Sequence, residues 1–307
     1  MTSDQLRAQI ERTVVQAAVS VGCRLHLDVR DPLVLSARGT VLVHLRPLPL
    51  VARVGTLTAL SRRDPAAWMA REVPVSAAAW SLDGPVVPPA AGIDPGPHPD
   101  GGLLVTLWDH VRVEPRRPTP AQTGRSLAEL HRCLPSVGQL SDLPWLAPIV
   151  DQVDDLLALL GRERQVDPQT LRMLRAEQQD VLDTITAEPS GDEVVLHGDA
   201  HAGNLLSIAG RWLWTDLEET CRGPVLWDLA VAAGQGLSAA EAAGLLASYA
   251  PASRRDLVET ADLDPYRRGR RLEAALWLCS MAQHWPERYA GPASAQMARI
   301  KAAREQR

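Results

Sequence analysis

His197-Gly198-Asp199-Ala200-His201-Ala202-Gly203-Asn204, followed closely by Trp214-Thr215-Asp216-Leu217-Glu218, is the stretch that decides how this chain reads. Glu193 to Leu196 leads into it as a strand. Leu205 to Ile208 and Arg211 to Thr215 then read as a hairpin that turns at Ala209-Gly210. The loop presents Asp199 and then Asn204, and the hairpin returns Asp216, so three oxygen-bearing side chains can be brought around one point. Phosphoryl transfer asks for such a set: a carboxylate to meet the attacking hydroxyl, and hard oxygen ligands to hold Mg²⁺ against the phosphates. Asn204 is the only asparagine in the chain. The pattern His-Gly-Asp-x-x-x-x-Asn arises by chance in about one chain in ten thousand of this composition.

Working outward, the C-terminal side is mostly helical. Thr119-Pro120-Ala121-Gln122 reads as a capping box opening a helix with Leu127, Leu130 and Leu134 in one stripe. Asp167-Pro168 and Asp264-Pro265 open two further helices, and Ser238-Ala239-Ala240-Glu241 is a second capping box. The N-terminal side instead alternates Val- and Leu-rich runs with turns: Val29 to Leu35, Thr40 to Leu45 and Leu48 to Val54, a small antiparallel sheet. Asp64-Pro65 starts a helix through Glu72 that Pro74 should end or kink. Residues 83–101 read as a surface loop, Leu103 to Trp108 as a buried strand, and Pro115 to Pro120 as a connection. The expected plan is α+β and bilobal: a nucleotide-binding sheet lobe over residues 1–108, a hinge over 109–118, and a helical lobe with the catalytic loop over 119–307.

Composition narrows the classes. The chain of 307 residues is 46% hydrophobic and 22% charged, ordinary for a folded globular protein. A formal charge of −5 argues against nucleic acid as partner, since counterion release needs a dense basic surface. The charge is uneven: 9 acids and 10 arginines through Trp108, then 28 acids and 22 bases. The acidic half, with Asp151, Asp154, Asp155, Glu218, Glu219, Asp262 and Asp264, suits a cationic acceptor, although solvated helix faces give the same count. Four scattered cysteines (Cys23, Cys133, Cys221, Cys279) form no metal-ligand spacing. The first residues hold no apolar signal core, and no stretch reaches the ~20 apolar residues of a membrane span. A reduced cytoplasmic protein with no membrane partner is the expectation; oligomeric state is left open.

At these residues the chain resembles the aminoglycoside phosphotransferase and choline kinase superfamily, which has the protein-kinase-like fold. The matching stretches are Leu196-His197-Gly198-Asp199 through Asn204-Leu205-Leu206, Trp214-Thr215-Asp216-Leu217-Glu218, Gly223-Pro224, and Trp227-Asp228-Leu229-Ala230. Ala128-Glu129-Leu130-His131 and Val105-Thr106-Leu107-Trp108 extend the match. The resemblance implies ATP or GTP and Mg²⁺ as cofactors. It makes Asp199 the catalytic base and Asn204 and Asp216 the metal ligands, with backbone groups of Leu107, Trp108 and Asp109 receiving the purine. The acceptor it implies is a small hydroxylated molecule: an aminoglycoside or other cationic antibiotic, or a metabolite such as choline, homoserine or a sugar.

The N-terminal lobe departs from that pattern. Kinase-like folds usually carry a phosphate-binding lysine on the third strand, yet the only lysine here is Lys301. Arg53 in Val51-Ala52-Arg53-Val54 is the candidate in its place, with Glu72 as partner; an exposed strand arginine and a helix-surface charge are the alternatives. The phosphate-covering stretch Ser36-Ala37-Arg38-Gly39-Thr40 has one glycine. By the two-residue strand period Glu218 shares a face with Asp216, so it is either a metal or substrate contact or a solvated carboxylate. His197 and Asp228 read as supports of the loop, and His201 as a packing histidine. A protein substrate does not fit, because only six residues separate Asp216 from Gly223-Pro224 and no Ala-Pro-Glu follows. A nucleotide-binding scaffold without turnover is the remaining alternative.

Overall fold

Three Val- and Leu-rich runs near the N-terminus fold as strands β1 (Leu33–Ala37), β2 (Thr40–His44) and β3 (Leu50–Gly55). With β4 (His98–Asp100) and β5 (Leu103–Asp109) they form an antiparallel sheet in the order β1-β2-β3-β5-β4. The computed structural model describes residues 3–37, 39–56, 59, 61–134, 143–187, 193–234, 236–253 and 263–306. Arg38 and Asp262 lie outside the described residues. The chain divides into two compact units: Met1–Arg116 with Leu206–Glu218, and Arg117–Leu205 with Glu219–Arg307.

Alternation along β3 gives the sheet two apolar faces. Ala52 and Val54 pack with Val14, Ala17, Ala18 and Val21 of helix α1 (Ser3–Arg24), whose spacing puts those four residues on one stripe. Val51 faces the other way and packs with Val73, Val87, Trp108 and Leu213. Helix α2 (Pro65–Ser81) starts on an Asp64 cap that accepts from the Ala67 N–H at 3.0 Å. It does not stop at Pro74. A proline there removes one helix hydrogen bond, but the turns around it bury Met69, Val73, Val75, Ser76 and Ala79, and that packing carries the helix onward. Strands β7 (Leu205–Ile208) and β8 (Arg211–Trp214) form the hairpin across Ala209 and Gly210, both at positive φ as a two-residue turn of this kind demands.

The second unit is built on helices. The Thr119 capping box is formed in both directions at α3 (Pro120–Cys133), and Leu127, Leu130 and Leu134 are fully buried. Then come a π-helical turn (Pro148–Gln152), α4 (Val153–Arg162), α5 (Pro168–Ala187), β6 (Glu193–Leu196), β9 (Cys221–Pro224), α6 (Leu226–Gly234), α7 (Ala239–Ser253), α8 (Asp264–His284) and α9 (Pro286–Glu305). Helices α3 and α7 approach so closely at Gly124 that a β-carbon there would lie 2.3 Å from the Leu245 carbonyl oxygen. Strands β6 and β9 pair antiparallel and bracket the 197–204 loop on one side and α6 on the other. No described helix is long and apolar enough to cross a membrane.

Candidate active site

The loop after β6 is held from beneath by one carboxylate. Asp228, in the first turn of α6 and fully buried, accepts from the backbone N–H groups of His197 (2.7 Å) and Gly198 (3.0 Å). Its Oδ2 also lies 2.9 Å from His131 Nε2, and the far nitrogen of His131 meets the Tyr249 hydroxyl at 2.9 Å. Trp227 Nε1–H donates to the Gly198 carbonyl at 2.8 Å, and His197 Nδ1 accepts from the Asp199 N–H at 3.3 Å. A buried charge is tolerable only when such donors surround it, and here they fix the turn that presents Asp199.

Asp199 and Asn204 are brought together. The Asn204 amide nitrogen donates to the Asp199 carbonyl at 3.0 Å and lies 3.4 Å from its carboxylate Oδ2. His201 Nε2 is also 3.4 Å from Oδ2, while its Nδ1 accepts from the Gly203 N–H at 2.9 Å. The other carboxylate oxygen, Oδ1, accepts from Arg270 of α8. Burial works to raise the Asp199 carboxyl, but the Arg270 charge and then His201 outweigh it and hold the group at about 2. Asp199 is therefore ionised across the neutral range.

In the sheet unit, Arg53 of β3 is buried among three carboxylates. One of its terminal nitrogens donates to Glu72 of α2 at 2.9 Å and to Glu218 at 2.8 Å, and the other to Asp216. Glu218 also meets Arg62 at 2.9 Å through its second oxygen. It is 6% exposed and sits in a 3₁₀ turn (Leu217–Glu219), not on a strand. The solvated reading of Glu218 is corrected: the group is buried, and each of its oxygens answers a guanidinium. Asp216 sits at φ 66°, a left-handed conformation that aspartate tolerates, at the point where the hairpin ends.

Three acids against two arginines cannot all ionise comfortably. Burial raises the Glu72 carboxyl to about 8 in spite of Arg53. Glu218, held by both guanidiniums, goes the other way to about 2, the two charges overcoming burial. The two figures differ although both acids touch Arg53, and the second cation at Glu218 is the physical reason.

The backbone at the expected purine-contact residues has partners within its own unit. Leu107 donates to the Pro95 carbonyl and accepts from the Ala90 N–H, both at 2.9 Å, and Asp109 N–H faces the Pro88 carbonyl at 3.4 Å. Trp108 pairs with Val51 across the sheet and packs in the apolar cluster. Backbone groups of Leu107 and Asp109 are thus spent on the 88–95 segment, which the sequence did not show returning alongside β5. The chain leaves the sheet after Asp109, and Val111, Leu42, Leu206 and Ile208 pack half-buried against the Val51–Trp108 cluster.

Two residues were missed. Arg62 precedes the α2 cap with nothing to single it out. Arg270 stands among Arg267, Arg268 and Arg271 on α8, and only its i,i+3 relation to Glu273 sets it apart.

The donor chemistry fits magnesium. Asn204 offers an amide oxygen and Asp216 a carboxylate. Among the described residues no three His, Cys, Asp or Glu side chains gather as a metal cage. Hard oxygens of this kind are what Mg²⁺ takes from a protein, alongside phosphates and water.

Family comparison completes the picture. The model of the phosphotransferase enzyme family (APH) matches residues 57–267, and the chain belongs to that family. Among solved structures, amicoumacin kinase hAmiN in complex with AMP-PNP, Ca²⁺ and Ami aligns over 96% of each chain at 11% identity and TM-score 0.70. A choline/ethanolamine kinase family protein from Mesorhizobium loti aligns over 98% of this chain and 94% of its own, at 19% identity and TM-score 0.61. The GDP and kanamycin complex of an APH(2") enzyme aligns over 95% and 99%, at 12% identity and TM-score 0.60. At such identities these likenesses define the fold, which is the α+β aminoglycoside phosphotransferase and kinase-like one. No curated protein sequence matches the chain.

Proposed function

We propose that the protein transfers the γ-phosphoryl group of ATP or GTP to a hydroxyl of a small molecule, with Asp199 as the catalytic base. The observation that carries this reading is the Asp199–Asn204 contact within a loop anchored on Asp228: the five-residue spacing has become a pair of touching side chains, one ionised. A scaffold needs no such pair. The acceptor's O–H bond breaks as its proton passes to the Asp199 carboxylate, and the oxygen bonds to the γ-phosphorus. The bond from that phosphorus to the β–γ bridging oxygen breaks, and its electron pair leaves with the nucleoside diphosphate.

Asn204 and Asp216 are the residues to hold Mg²⁺, which when bound neutralises charge on the phosphate oxygens. Arg53 is the phosphate-facing cation in place of lysine, steadied by Glu72 and Glu218. The half-buried apolar side chains of Leu42, Val111, Leu206 and Ile208 suit a purine, with backbone from Val111 to Val113 as the polar contact. The antibiotic and aminoalcohol kinases of similar fold support aminoglycosides, related antibiotics, choline-like aminoalcohols and sugars as acceptors to test first. The acidic residues of the helical unit favour the cationic ones.

The test is a nucleotide-coupled screen with kanamycin, a macrolide, choline, ethanolamine, homoserine and glucosamine, with and without Mg²⁺. Mg²⁺-dependent transfer to a panel member, reduced about 100-fold or more by Asp199→Ala, is expected. Full turnover by Asp199→Ala would remove Asp199 from its role.

A further inference from the structure

We infer that Arg270 is a positioning residue for the reaction: it fixes Asp199 through Oδ1 and so leaves Oδ2 as the oxygen that meets the acceptor hydroxyl. This rests on the reading of Asp199 as the base. Arg270 lies on α8, 71 residues after Asp199, and its side chain is 16% exposed. One terminal nitrogen donates to Asp199 Oδ1 and the other to Glu273 Oε2 at 2.5 Å. Glu273 is buried, and its second oxygen accepts from the Gln152 amide at 2.7 Å, in the π-helical turn. A chain of charge-assisted bonds therefore runs from Gln152 through Glu273 and Arg270 to the carboxylate.

The two carboxylate oxygens are not alike. Oδ1 is in direct contact with a guanidinium that is clamped from behind. Among the described residues, Oδ2 meets Asn204 Nδ2 and His201 Nε2, each at 3.4 Å. Because His201 Nδ1 accepts from the Gly203 N–H, the ring proton is on Nε2, which points its N–H toward Oδ2. A carboxylate free to turn about its last bond would offer either oxygen in a range of directions. Clamping Oδ1 removes that freedom, and a misplacement of about 1 Å at a reacting group can cost 100-fold in rate. Among the described residues the Arg270 Nε–H has no hydrogen-bond partner, and the terminal nitrogens of the guanidinium bond to the Asp199 and Glu273 carboxylates. Lysine could reach one of them but not span both.

The experiment compares wild type with Arg270→Met, Arg270→Lys, Glu273→Gln and Asp199→Ala. The probes are Mg²⁺-ATP with the six acceptors of the screen, and Mg²⁺-ATP with water as acceptor. Arg270→Met is expected to lower kcat about 100-fold. Its KM for ATP and its thermal stabilisation by Mg²⁺-ATP stay within about threefold and about 2 °C of wild type. Arg270→Lys is expected to regain about tenfold over Arg270→Met, and Glu273→Gln to fall between them. A kcat for Arg270→Met within threefold of wild type overturns the inference, as does Arg270→Lys no better than Arg270→Met. Should Arg270→Met fail to fold, wild-type kcat in both Arg270→Lys and Glu273→Gln overturns it instead. Inactive Asp199→Ala beside fully active Arg270 variants sinks this inference alone. Active Asp199→Ala, or no transfer by wild type to any acceptor or water, sinks the proposed function with it.

Discussion

A β-carbon added to Gly198 would lie 2.1 Å from the carbonyl oxygen of Glu219. Gly198 also holds φ at 86°, a conformation other residues adopt only under strain. Nothing flexible can yield here, since the facing atom is backbone. Gly198→Ala is therefore expected to lose more than the about 1–3 kcal/mol of left-handed strain. The loop carrying Asp199 shifts with it. Urea unfolding and the acceptor screen check both effects; unchanged stability would contradict this packing.

Stability should fall as pH rises across the neutral range through Glu72. Its folded-state group titrates near 8, above the ordinary 4.5, because burial opposes its charge. The folded protein then binds more protons than the unfolded one between these values, so the contribution is complete below about 4.5 and is lost as pH passes about 8. Thermal unfolding of wild type against Glu72→Gln over pH 5–9 tests the sign. The variant should show a flatter dependence, and a parallel pair of curves would refute the assignment.

Removing the cation at the centre of the three acids should be costly. Arg53→Met leaves Glu72 and Glu218 buried with one fewer positive neighbour, a change that typically costs about 3–5 kcal/mol. Arg53→Lys should recover only part of it, because Arg53 uses one nitrogen for two acids and another for the third. Denaturant midpoints and the KM for ATP report the two consequences. A lysine variant equal to wild type in both would show that a point charge suffices.

The 197–204 loop was the most legible part of the chain because its contacts are local: Asp199, Asn204 and their supporting strand lie within a dozen residues. Capping boxes at Thr119 and Ser238 were legible for the same reason. Pro74 does not end its helix because propensity speaks for one residue, whereas the helix is held by several buried ones. The backbone partners of Leu107 and Asp109 were not legible, because residues 88–95 sit in a stretch whose proline and glycine content hides a return to the strand. Arg62 and Arg270 could not be read at all. Their importance comes from acids 156 and 71 residues away, and no periodicity marks an arginine that will meet such a partner.

The sheet unit is discontinuous: it ends at Arg116 and resumes at Leu206. On the ribosome this sets an order of events. Arg53 and Glu72 emerge early, but Asp216 follows Glu72 by 144 residues, with Glu218 just after it, a wait of roughly 7–30 s at ordinary elongation rates. Until then the nascent sheet carries an arginine with one acid where the finished protein gives it three. The amino-terminal segment thus cannot mature ahead of the rest, and the last stitch in the first-made unit is sewn by its latest-made piece.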